Sequence, residues 1–94
     1  MSELISEEEI DAWMKRVPEW EAHPGNISRV AEYDEFMDAI DFVNGVAEIA
    51  EEAQHYPEIN VVGSVVTLRL STDDQGGVTS LDFELAGRID NLLD

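Results

Sequence analysis

Cysteine is absent from the 94 residues, which removes disulfides, thiol nucleophiles and zinc-thiolate sites from consideration. Basic residues are scarce: five Lys and Arg stand against 22 Asp and Glu, a formal net charge of −17. The acids run through both halves of the chain instead of collecting in a tail, and such a field repels phosphate backbones and anionic lipid surfaces, so no nucleic-acid or membrane-surface role is expected. No apolar run approaches the ~20 residues that a bilayer span needs, and the opening MSELISEEEI has neither a basic nor an apolar leader region. A cytoplasmic protein is the expectation. Prolines number three and hydrophobic residues make up 44%, which argues against disorder and for a single domain over residues 1–94. A core this small gains from self-association.

What is present divides into helical and extended stretches. Ser6 with Glu9 three residues on is a capping-box start, and Ile10, Trp13, Met14 and Val17 follow at helical spacing up to Pro18. His23-Pro24-Gly25-Asn26 is a turn between two short strands, the second carrying Ile27, Val30 and Tyr33. Asp34 opens the longest helix, with Phe36, Met37, Ile40, Val43, Val46, Ala47 and Ala50 on its apolar face. It should end near Gln54, ahead of Pro57, and Gly45 inside it predicts close packing by another element. Gly63-Ser64 joins a second pair of strands, in which Val66, Leu68 and Leu70 form the buried face. Thr79 with Asp82 caps a last helix carrying Leu81, Leu85, Ile89, Leu92 and Leu93. The order α-β-β-α-β-β-α predicts an α+β fold, an antiparallel four-stranded sheet with three helices on one face.

Chemistry-bearing residues are few. His23, beside a proline in a turn, reads as a solvated loop histidine, and Asp73-Asp74 lacks the D-x-D-x-D-G spacing of a calcium loop. Gly76-Gly77 lacks the lysine of a phosphate loop. His55, at the end of the long helix, has two readings: a histidine favoured there by the helix dipole and the acidic surroundings, or part of a ligand site.

The element order, the HYPEI stretch from His55, the LSTDDQGGVT turn from Leu70 and the closing DFELAGRID from Asp82 resemble the pterin-4a-carbinolamine dehydratase family, also known as the dimerisation cofactor of hepatocyte nuclear factor. The similarity runs from about Trp20 to the C-terminus. The family pattern is an acid, three positions, His-His-Pro, an aromatic, a third histidine and an aspartate in the last helix. Glu51, His55, Pro57 and Asp82 match it, whereas Tyr56, Gly63 and Asp73 stand where the second histidine, the aromatic and the third histidine belong.

Dehydrating a 4a-hydroxytetrahydropterin expels hydroxide from C4a while a ring nitrogen loses its proton. Histidine, with a reference pKa of ~6.5, can both donate and accept near neutrality. A free aspartate at ~3.9 is already ionised, and tyrosine at ~10 keeps its proton. With two of the three family histidines replaced, the resemblance implies a noncatalytic protein first and an enzyme as the alternative. The first is a protein of the divergent branch found with α-carboxysome genes, acting as a RuBisCO assembly factor or chaperone, with carboxysome association and His55, Tyr56, Pro57 and Asp82 as a ligand or partner surface. The other is a variant dehydratase in which Glu51, His55 and Asp73 share the proton transfers. A homodimer or homotetramer is implied by the family, and neither reading calls for a cofactor or a metal.

Overall fold

The computed structural model describes residues 4–72 and 77–93. Its elements are α1 (Glu7–Met14), β1 (Glu21–His23), β2 (Asn26–Glu32), α2 (Phe36–Ala53), β3 (Glu58–Val62), β4 (Val65–Leu70) and α3 (Ser80–Leu93). The strands form one antiparallel sheet in the order β1-β2-β4-β3. This is the α+β architecture that the residue pattern predicts, with the helices on one face. Pro24-Gly25 and Gly63-Ser64 make the two hairpin turns, and Gly25 (φ 82°) and Gly63 (φ 59°) supply left-handed backbone that glycine adopts without a Cβ clash.

Ile27 and Ala31 of β2 and Val66, Leu68 and Leu70 of β4 share one core with Ala39, Phe42 and Val46 of α2, Phe83, Leu85, Ala86 and Ile89 of α3, and Val17 and Trp20. The alternation expected along β4 is realised. The buried stripe of α2 is Ala39, Phe42, Val46 and Ala50, so the apolar face read from the sequence is rotated: Phe36 and Met37 are 53% and 61% exposed. At 100° per residue, Phe36 lies about 75° from that stripe and Met37 nearly opposite it. On α3, Leu85 and Ile89 are buried as expected, but Leu81 and Leu92 are exposed and Phe83 takes the inner position, its ring 5.4 Å from Trp13. Leu92 instead lies over Gly45, where a Cβ would stand 3.1 Å from Leu92 Cδ1. That contact is the close packing that a glycine inside a helix predicts.

Polar links fix the layers. Asp90 of α3 accepts from the Trp20 indole N–H at 2.8 Å and from Arg29 of β2 at 2.5 Å. At α1 the capping box is incomplete: the Ser6 hydroxyl donates to the Glu9 carboxylate at 2.9 Å and makes no bond to a backbone N–H. No helix among the described residues is long and apolar enough to cross a membrane.

Candidate functional site

The site begins with how α2 stops. Gln54 takes a left-handed conformation (φ 52°, ψ 39°), its N–H reaching Glu51 O and the His55 N–H reaching Ala50 O at 3.2 Å. This Schellman closure satisfies the last carbonyls, and Pro57 prevents the helix from resuming. The chain reverses at this point, and His55 is directed toward the start of α3.

There His55 Nε2 lies 2.5 Å from Asp82 Oδ1. The Asp82 side chain is fully buried and that of His55 is 15% exposed. The other carboxylate oxygen, Oδ2, accepts from the Thr72 hydroxyl and from the Thr79 backbone N–H, both at 2.9 Å. Thr79 Oγ1 is 3.0 Å from Thr72 Oγ1. With the Thr72 proton directed at Asp82, the Thr79 hydroxyl is the donor of that last pair, completing a chain from Thr79 through Thr72 to the carboxylate. Half of the predicted capping box is thus present, since the Asp82 side chain returns to the N–H of Thr79, while the Thr79 hydroxyl serves the site instead of the helix. A buried carboxylate needs such a full set of donors. Holding Nε2–H on Asp82 makes Nδ1 the basic nitrogen of a neutral His55 ring, and Nδ1 has no partner among the described residues.

The remaining expected site residues are distributed around this centre. Glu51 points outward and accepts a long, 3.3 Å hydrogen bond from the Tyr56 hydroxyl. The Glu51 charge, then slight desolvation and that hydrogen bond, raise the Tyr56 phenol above the ordinary tyrosine value, so it stays protonated. Tyr56 is 62% exposed. A cavity of about 240 Å³ beside it is lined by Tyr56, Pro57, Glu58, Arg69 and Ser71. Asp82, which the resemblance placed on a ligand or partner surface, faces no solvent and acts only through His55 and the threonines. Asp73 lies outside the described residues. Gly63 is at the far end of β3, about 20 Å of extended strand from Pro57, so within one chain it lies away from His55. Sequence reasoning did not pair His55 with Asp82, nor did it find Thr72 and Thr79. The signal for Thr79 was the Thr79-x-x-Asp82 spacing, which reads as a cap alone, and Thr72 has none.

A helix-backed antiparallel sheet with an oriented histidine at the junction of α2, β4 and α3 defines the class, and the comparisons give the family. Residues 3–92 match the family model described as pterin 4 alpha carbinolamine dehydratase. A relative from Picosynechococcus sp., provisionally named pterin-4-alpha-carbinolamine dehydratase, is 41% identical over 98% of this chain and 100% of its own length. One of the same provisional name from Haloarcula marismortui is 39% identical over the whole of both chains. The chain belongs to the pterin-4a-carbinolamine dehydratase family. Among solved structures, a transcriptional coactivator/pterin dehydratase from Brucella melitensis superposes with a TM-score of 0.91 at 26% identity, covering 97% of this chain and 99% of that one. A pterin dehydratase-like protein identified as a RuBisCO assembly factor in the α-carboxysome shares the fold with a TM-score of 0.63 at 20% identity, covering 78% of this chain and 84% of that one.

Proposed function

We propose that this protein dehydrates a 4a-hydroxytetrahydropterin, with His55 as the acid/base and Asp82 as its positioning residue. The observation that carries this reading is the 2.5 Å contact between His55 Nε2 and a fully buried carboxylate that is itself held by Thr72 and Thr79. A surface helix-end histidine does not need that arrangement, whereas a proton-transfer group does. His55 Nδ1 takes the proton from the pterin ring nitrogen as the C4a–O bond breaks, and passes it to the departing hydroxide, which leaves as water. The imidazole returns to its starting state, and Asp82 stabilises the transient imidazolium. The cavity lined by Tyr56, Pro57, Glu58, Arg69 and Ser71, which begins one residue after His55 in the chain, supports the same reading as a place for a small substrate. Stopped-flow absorbance of 4a-hydroxytetrahydropterin with the native protein, His55→Ala and Tyr56→His is the test: native activity lost in His55→Ala and raised in Tyr56→His supports the assignment.

A noncatalytic role as a RuBisCO assembly factor, with carboxysome association, is the second reading. The observation that favours it is Tyr56, a broad amphipathic side chain exposed where the family pattern has a histidine and suited to protein contact. Co-expression with a RuBisCO separates the two, since unchanged soluble holoenzyme across cognate pairs counts against assembly. A homodimer or homotetramer fits either reading.

A further inference from the structure

A second concavity, of about 370 Å³, shares no residue with the cavity beside Tyr56 and lies between α2 and the end of α3. Its walls are Tyr33, Phe42 and Leu92 over Gly45, with Asp38 and Asp41 at its edge. The two aromatic rings sit 5.7 Å apart at 40°, forming a tilted pair. Leu92 is 45% exposed, and Met37, 61% exposed, stands one helical turn before Asp41. The four ion pairs among the described residues join Arg29 to Asp90, His55 to Asp82, Arg69 to Glu58 and Arg88 to Glu52, so neither Asp38 nor Asp41 is in one. Burial of the Tyr33 ring raises its phenol, an effect that Arg29 opposes and Asp38 adds to, which keeps a hydroxyl donor at the groove wall.

These features ask for an occupant that is apolar and cationic together. A purely apolar partner would leave both carboxylates beside an interface with no counter-charge, which costs solvation. A second copy of this chain offers only five Lys and Arg, of which Arg29, Arg69 and Arg88 are already paired with acids. A lysine or arginine meets both requirements, its aliphatic stem lying on Tyr33 and Leu92 and its head reaching the two carboxylates. We propose that this groove docks a basic amphipathic segment of a partner protein, one Lys or Arg seated between Asp38 and Asp41 and neighbouring apolar side chains against Leu92 and Met37. The acidic surface speeds the encounter of such a segment, and the groove gives it a place.

The probe is a fluorescein-labelled amphipathic helical peptide of leucine and lysine, with a counterpart in which glutamate replaces every lysine. Fluorescence anisotropy should show binding of the basic peptide only, weakened about tenfold or more by the Asp38→Asn, Asp41→Asn double variant. The Glu7→Gln, Glu8→Gln double variant removes the same two charges from α1 and should change the affinity less than about twofold. Amide shifts on binding should centre on Tyr33, Gly45 and Leu92. Equal weakening by the two double variants would reduce the effect to general attraction by the acidic field and overturn the proposal. So would shifts centred elsewhere, or a homodimer in sedimentation that Leu92→Glu dissociates, since a second copy would then own the groove.

Discussion

Replacing Asp82 by Asn keeps the side chain's shape and removes its charge at the point where three donors converge. The carboxylate takes His55 Nε2 at 2.5 Å and the Thr72 hydroxyl and Thr79 N–H at 2.9 Å, with no solvent access to share the load. An amide has one oxygen. If that oxygen keeps Thr72 and Thr79, the NH2 faces His55, whose Nε2 must become an acceptor and move its proton to Nδ1. Three charge-assisted bonds become neutral ones, and at roughly 1 kcal/mol lost for each the protein is destabilised by about 2–4 kcal/mol. For a domain of this size that lowers Tm by roughly 10–25 °C. The kinetic effect is separate: with its proton on Nδ1, His55 can no longer offer that nitrogen as a base, and a dehydration rate that depends on it falls by about 10²–10⁴. Circular dichroism melts give the first quantity, and the imidazole ¹⁵N shifts report the tautomer directly. A Tm within about 2 °C of native, with the Nε2–H tautomer retained, would refute the reasoning.

Three other outcomes follow from the same structure. With a formal charge of −17 packed into a radius of gyration of 12.9 Å, repulsion opposes folding, so raising KCl from ~0.15 to ~1 M, which shortens the Debye length from ~8 to ~3 Å, should stabilise the protein by on the order of 3 kcal/mol; a flat Tm across that range would contradict this. Gln54→Gly should stabilise the protein by about 0.5–1 kcal/mol in urea unfolding, because the left-handed C′ position of α2 suits glycine, and a loss of stability would show that the Gln54 side chain matters more than its backbone. The two tyrosines, Tyr33 and Tyr56, should both ionise above the ordinary tyrosine range in a titration followed at ~295 nm, and Glu51→Gln should lower the Tyr56 step while leaving Tyr33 in place; an unmoved Tyr56 step would remove Glu51 as the cause.

The elements were legible wherever the local signal and the packing agree. Gly63-Ser64 specifies a turn and Val66, Leu68 and Leu70 a buried face, because a strand's period of two allows only one assignment. Gly45 announced a neighbour without naming it, and Leu92 is that neighbour. The face of α2 was misjudged because apolar residues nearly encircle its first turn, and which of them is buried depends on the sheet beneath, where Ala39 lets the helix sit close. In the site, position and composition were readable but partnership was not. His55 and Asp82 are 27 residues apart, and only the reversal at Gln54 and the start of α3 at Ser80 bring them within 2.5 Å. Thr72 carries no signature of its own, and its role exists only once β4 has placed it beside Thr79.

Single-turnover dehydration of 4a-hydroxytetrahydropterin by the native protein, measured beside the spontaneous reaction and His55→Ala, tests the central claim most directly. The account predicts a native rate well above the uncatalysed one and a His55→Ala rate that returns to it. A native rate equal to the spontaneous one, in a folded protein with His55 still bound to Asp82, would contradict it and leave the oriented histidine without a catalytic task.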